Sequence, residues 1–201
     1  AHDSDAHAAS LRNHDRFPPC LRPRCLFACA FSATMRRMNR LPPVTRALLL
    51  VNVAVFCVQL LTGDLLVGPF ALWPAASPRY PGAPSFEVWQ LLSYGFLHGS
   101  LTHLFFNMFA LYMFGRDVES LLGSARFLEY YLVCVVGAAL AQFVVMSIMT
   151  LPPLPTVGAS GGVFGLLLAF GMAYPQRRIL LLFPPIPMPA WLFVTLYGAL
   201  E

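Results

Sequence analysis

The sequence predicts an all-α, polytopic membrane protein with four complete helical spans and a partial fifth. Three observations predict it. Hydrophobic residues fill 58% of the 201 positions and charged residues only 11%, far below the roughly 25% of a soluble domain. Apolar runs recur, and several approach the roughly 20 residues that cross a bilayer as a helix. All 13 basic residues are arginine, and they gather in the N-terminal tail and at the ends of apolar runs. That is the signature of membrane topology rather than of a phosphate-binding surface, so nucleic acid is excluded as a partner despite the net charge of +4.

The elements follow in order. Residues 1–43 are a polar, Arg-bearing tail without helical periodicity. The chain opens on Ala1, and Met35 and Met38 stand just before Arg36-Arg37 and Arg40 as candidate starts. The tail is therefore expected to be disordered or non-native and is set apart from the membrane domain, residues 44–201. Cys20, Cys25 and Cys29 lie in it at irregular spacing, and no metal site is expected from them. The first span covers about 44–61, opened by Pro42-Pro43. Asn52 and Gln59 inside it, and Gln142 further on, are expected to hydrogen-bond between helices. Cys57 and Cys134 read as buried apolar residues.

Residues 62–99 combine five prolines with Phe70, Trp73, Phe86 and Trp89. Such a loop is expected to be ordered at the membrane interface, where aromatic residues concentrate. The second span, about 101–114, is short and is closed by Gly115-Arg116-Asp117-Val118-Glu119. The third runs over about 127–150, with Arg126 and Glu129 as interfacial anchors, and a Leu151-Pro152-Pro153-Leu154-Pro155 turn follows. The fourth covers about 160–174. A Pro184-Pro185-Ile186-Pro187 kink precedes the fifth, which begins near Met188.

The arginines orient the bundle. Eight of them, Arg12 to Arg46, precede or open the first span. Arg116 and Arg126 follow the second, and Arg177 and Arg178 the fourth, while the two remaining loops hold only Arg79. Positive charge stays inside, so the N-terminus is expected in the cytoplasm and the proline-rich loop outside. His103 and Ser160 then fall near the outward ends of their helices, at one level.

Polar side chains at membrane depth are costly and need partners or a function. Ser160 opens the fourth span within Val157-Gly158-Ala159-Ser160-Gly161-Gly162-Val163-Phe164-Gly165. Taken alone, a serine among glycines in a membrane helix is a packing device more often than a nucleophile. His103 and Asn107 change that balance. Spaced i, i+4, they share one helix face and supply two donors to one point, as a developing oxyanion requires. The backbone N–H of Ser160, at a helix N-terminus, is a third. Gly158, Gly161, Gly162 and Gly165 clear room around the serine for a neighbouring helix or a substrate backbone. The residues leave a second reading open, with His103 as the base and Asn107 as its orienter. His98, in the loop mouth, is assigned a structural or substrate-adjacent place.

These residues resemble those of the rhomboid intramembrane serine proteases of bacterial type. Gly158-Ala159-Ser160-Gly161 is similar to the G-x-S-G nucleophile motif, and His103-x-x-x-Asn107 to its companion. Trp89-Gln90-Leu91-Leu92, Phe96-Leu97-His98-Gly99-Ser100 and Gly115-Arg116-Asp117-Val118-Glu119 extend the likeness, which covers about 42–201. The resemblance implies a multi-pass, rhomboid-like bundle in the cell's inner membrane. It implies a serine endopeptidase without cofactor or metal, in which Ser160 attacks while His103 and Asn107 stabilise the oxyanion. Its substrates would be single-span membrane proteins, cut near the membrane boundary. It places loop 62–99 in the outer leaflet and has Arg116 and Glu119 tie helix ends together.

The resemblance further implies a general-base histidine on a sixth span. The histidines here are His2, His7, His14, His98 and His103, and none follows Ser160. The sequence is therefore expected to be truncated before that helix and not to cleave substrate by itself. The alternative is a catalytically inactive rhomboid-like protein that binds transmembrane helices. A small transporter would carry internal repeats or paired broken helices, and none is visible.

Overall fold

The computed structural model describes residues 41–75, 84–148, 154–180 and 187–200. The tail assigned to 1–43 lies outside the described residues except at its last three positions, and so do Arg79, most of the turn at 151–155 and most of the kink at 184–187. Pro42–Glu201 packs as one compact unit.

Helices dominate. α1 (Pro43–Thr62) starts on a proline in its first turn, where the missing N–H costs nothing. A 3-10 turn (Gly63–Leu66) and the short α2 (Val67–Phe70) follow, then α3 (Gln90–Ser93) and a second 3-10 turn (Tyr94–Phe96). α4 (Leu101–Ala110) runs through a π-helical turn (Leu111–Gly115) into α5 (Arg116–Leu122). α6 (Ser124–Ile148) is the long helix, α7 (Ser160–Ala173) carries the glycine-rich motif, and α8 (Ala190–Leu200) is the last.

Two stretches, Pro43–Phe70 and Ser124–Ile148, are long and apolar enough to cross a membrane; α7 is apolar but shorter. α6 is apolar on every side, yet its buried stripe is Phe127, Tyr131, Val135 and Ala139 alone. Val133 and Ile148 on its outer faces are 69% and 74% exposed. A helix apolar all round with one stripe covered is at home in hydrocarbon, not in water.

Three departures from the sequence reading have physical causes. The helix expected to form the second span continues beyond it, past Phe114. The π turn widens the ladder at 111–115 and the helix continues to Leu122. Gly123, at φ 80°, then ends it with its N–H on the Glu119 carbonyl. The chain is also not purely helical, because β1 (Arg178–Leu180) pairs antiparallel with β2 (Pro187–Pro189). Ala190 N donates to Arg177 O at 2.9 Å, which puts Pro187 and Pro189 at the non-bonded positions of the ribbon, where a missing N–H removes no ladder bond. Finally, the buried face of α1 is Thr45, Leu48, Asn52, Phe56 and Gln59. Cys57 lies off that face and is exposed rather than buried. Asn52 donates to Leu48 O in its own helix at 2.8 Å instead of reaching a neighbour. Gln59 does cross between elements, exchanging two bonds with the backbone of His98.

The core centres on α7. Leu166, Leu167 and Phe170 pack with Phe114, Phe127, Tyr131 and Val135, and the Phe114 and Phe170 rings meet edge to face at 5.0 Å. The described part of the 62–99 loop is pinned by polar groups. Trp73 Nε1 donates to Gly68 O, Trp89 Nε1 to Pro69 O and Ser93 Oγ to Phe70 O, each within 3.0 Å. Gln90, buried, accepts from the backbone N–H of Trp73 and of Glu87.

Glu119 ties three helices. Its carboxylate accepts from Val44 N, Thr45 N, Thr45 Oγ1 and Ser124 Oγ at 2.7–3.0 Å. Two orphan donors at the start of α1 and the first side chain of α6 thus share one buried acceptor. Burial by itself would raise the Glu119 pKa, but these donors outweigh it and hold the carboxyl below its ordinary value. Protonation therefore opposes the fold: the contribution is present above the usual carboxylate range and is lost as pH falls through the lowered folded value. Glu119→Ala is expected to cost roughly 3 kcal/mol and to flatten the acid limb of stability against pH, both read from unfolding in detergent.

Candidate active site

α4 begins at a strong N-cap. Ser100 is extended, and its Oγ accepts from His103 N at 3.1 Å. This sets His103 one turn inside the helix, with Asn107 a further turn along the same face. Asn107 is buried, and its Nδ2 donates to the His103 carbonyl at 3.1 Å. An amide nitrogen carries two protons, so one donor stays available to the cavity.

The serine is delivered by a separate route. The chain returns from α6 through 154–159, where Leu72 and Thr156 exchange two backbone bonds. Gly158 N then donates to Tyr94 O at 3.0 Å, and Tyr94 Oη reaches back to Val135 O on α6 at 2.8 Å. Gly158 adopts φ 135°, a conformation side chains avoid. A Cβ there would lie 2.6 Å from His103 Cε1, 2.8 Å from His103 Nε2 and 3.7 Å from Ser160 Oγ. The imidazole and the hydroxyl therefore both come close to Gly158, the ring too close to admit a methyl group there. Ser160 is the first residue of α7, so its N–H belongs to the turn that lacks intrahelical partners.

His103, Asn107 and Ser160 line one cavity of about 770 Å3. Phe106, Phe109, Met113, Phe164 and Leu167 give it an apolar wall, while Tyr94, Gln142 and Thr156 add polar groups. Gln142 Nε2 donates to Thr156 Oγ1 at 3.4 Å, and its place in the cavity was signalled by being a polar residue inside an apolar span. Tyr94 had no such signal, because it precedes the second span in an aromatic loop.

The glycines divide by role. Gly158 sits between the histidine and the serine. Gly161, Gly162 and Gly165 face α6 instead: added Cβ atoms would run into Ala138, the Tyr131 ring and Cys134 respectively. Gly161 also borders the cavity, and Tyr130 Oη donates to Gly165 O at 2.7 Å. His98 is not in the Ser160 cavity. It lies behind His103, with ring centroids 5.2 Å apart, and burial together with the nearby His103 pushes its pKa down to about 4 against a smaller pull from the Phe96 carbonyl. Among the described residues, no three His, Cys, Asp or Glu side chains gather to hold a metal.

Residues 85–200 match the family model of the Rhomboid domain. The chain belongs to the rhomboid family. It is similar to the Rhomboid protease GlpG of Klebsiella pneumoniae, 36% identical over 114 residues that cover 57% of this chain and 38% of that protein. The Rhomboid protease GlpG of Yersinia pestis is 29% identical over 112 residues, covering 56% of this chain and again 38% of the relative. The chain thus spans well under half the length of these curated relatives.

The glycine face makes a packing prediction for this rhomboid. Gly165→Ala is expected to cost about 2 kcal/mol by overpacking against Cys134. Cys134→Ala removes the Sγ from that contact, so the double variant should recover part of the loss. Thermal unfolding of the two single variants and the pair measures this coupling.

Proposed function

We propose that this rhomboid carries the nucleophile and oxyanion site of an intramembrane serine endopeptidase. Its substrates are single-span membrane proteins, cut near the membrane boundary. The bundle comprises four complete spans and a fifth starting near residue 188, with the N-terminus in the cytoplasm and the domain covering 44–201. The observation that carries the reading is that the Ser160 hydroxyl and the His103 ring both approach Gly158 and line one cavity.

Ser160 Oγ adds to the scissile carbonyl carbon and gives up its proton to a base. The carbonyl oxygen becomes an oxyanion, met by the His103 ring, the Asn107 amide and the Ser160 N–H. Collapse expels the amine, which takes the proton from the base. Water then attacks the acyl-serine in the same way and frees the acid. Family resemblance assigns the base to a histidine on a later apolar helix, and the 201 residues carry none after Ser160. His103 as the base with Asn107 as its orienter is the weaker reading, because the family resemblance assigns this pair to the oxyanion. The apolar cavity wall suits a substrate helix unwinding from lipid, and the side-chain-free positions 158 and 161 suit small residues at the cut.

Labelling by a fluorophosphonate in membranes is expected for the intact protein and is lost in Ser160→Ala. Cleavage of a reconstituted single-span substrate should fall on the order of 100-fold in His103→Ala and in Asn107→Ala, and residues 1–201 alone should give no turnover. Cleavage that survives Ser160→Ala would end the proposal. Substrate binding without labelling would favour the non-cleaving, helix-binding alternative.

A further inference from the structure

A second cavity, of about 390 Å3, lies between the end of α1 and the start of α4. Gln59, Asp64, His98 and Ser100 are polar groups in its wall. His98 is only 2% exposed, and among the described residues neither ring nitrogen makes a hydrogen bond of good geometry, the Phe96 carbonyl offering only a weak one. Gln59 holds both the N–H and the carbonyl of His98, which fixes the backbone that presents the ring. A neutral imidazole carries one donor and one acceptor, and leaving the acceptor unmet and the donor poorly met in a buried site is costly. A cavity of this size holds several waters, and the Asp64 carboxylate and the Ser100 hydroxyl supply the further polar partners that ordered water needs.

The placement of the two imidazoles gives this a consequence. His98 lines the second cavity, His103 lines the Ser160 cavity, and the rings meet edge-on. Together they form the partition between the two spaces. We propose that the second cavity is a built site for ordered water, and that His98, held by this water, is a positioning residue for the His103 ring. The low pKa of His98 keeps its ring neutral, with one donor and one acceptor for water. The site stands on its own geometry; its effect on the oxyanion rests on the peptidase reading above. A purely packing role would be met equally well by an apolar ring.

Histidine 15N NMR of the protein in lipid nanodiscs tests this on wild type, His98→Phe and His98→Gln. Cross-relaxation between water and the His98 ring is expected in wild type. His98→Phe keeps a ring but loses the water ligand, and should shift the His103 ring 15N resonances. His98→Gln restores a donor and an acceptor, and should bring those resonances back toward wild type. Absence of water contact at the wild-type His98 ring overturns the site. Equal His103 shifts in the Phe and Gln variants overturn the positioning role. If the Phe variant does not fold, the wild-type water contact and the Gln variant's His103 resonances decide both points. Fluorophosphonate labelling of Ser160 in the intact protein is a separate readout: an intact wild type that shows the water contact but does not label keeps the water site and sinks the peptidase reading.

Discussion

Everything at the Ser160 site depends on how closely α7 lies against α6. Gly161, Gly162 and Gly165 meet Ala138, Tyr131 and Cys134 at distances that leave no room for a methyl group. In lipid, helices gain little from burying apolar surface and associate through van der Waals contact, so side-chain-free faces determine where they touch. Tyr130 fastens the same interface with a bond to the Gly165 carbonyl. With α7 held there, its first residue lines the cavity together with the histidine of α4.

A polar knot holds the opposite half of the bundle. Glu119 joins the starts of α1 and α6 to α5, and the π turn at Leu111–Gly115 connects that helix to α4. Gly115 packs against Thr45, itself a donor to Glu119. α4 is therefore steered from its far end by a carboxylate that faces away from the cavity, and from its near end by the Ser100 cap. Arg177 adds a tie outside the core, pairing with Asp117 at 2.6 Å while its guanidinium lies over the Phe170 and Tyr174 rings. An exposed pair of this kind contributes little stability, but it links the end of α7 to α5.

Much of this was legible in the chain. The helices fall close to where apolar runs and prolines placed them, and Ser160, His103 and Asn107 were identifiable as polar residues that hydrocarbon surroundings would not tolerate without a purpose. Gln59 and Gln142 bond to distant parts of the chain, but to His98 and Thr156 in the connections rather than to a second helix. Other features were not legible for identifiable reasons. The extension to Leu122 depends on a π turn, which has no periodicity of its own. The β1–β2 ribbon depends on strand register, which local composition does not encode. Asn52 chose its own helix because the Leu48 carbonyl is always within reach of an asparagine four residues on.

Composition and spacing alone determined that this chain is helical and apolar, that one serine opens a glycine-rich helix, and that a histidine and an asparagine share a helix face. These are local properties, set by side-chain chemistry and by the 3.6-residue turn. Tertiary structure alone decided which glycine separates His103 from Ser160, that the other three serve the α6 contact, and that His98 belongs to a different cavity from Ser160. Those are distances between elements far apart in sequence, and they emerge only when packing brings the elements together.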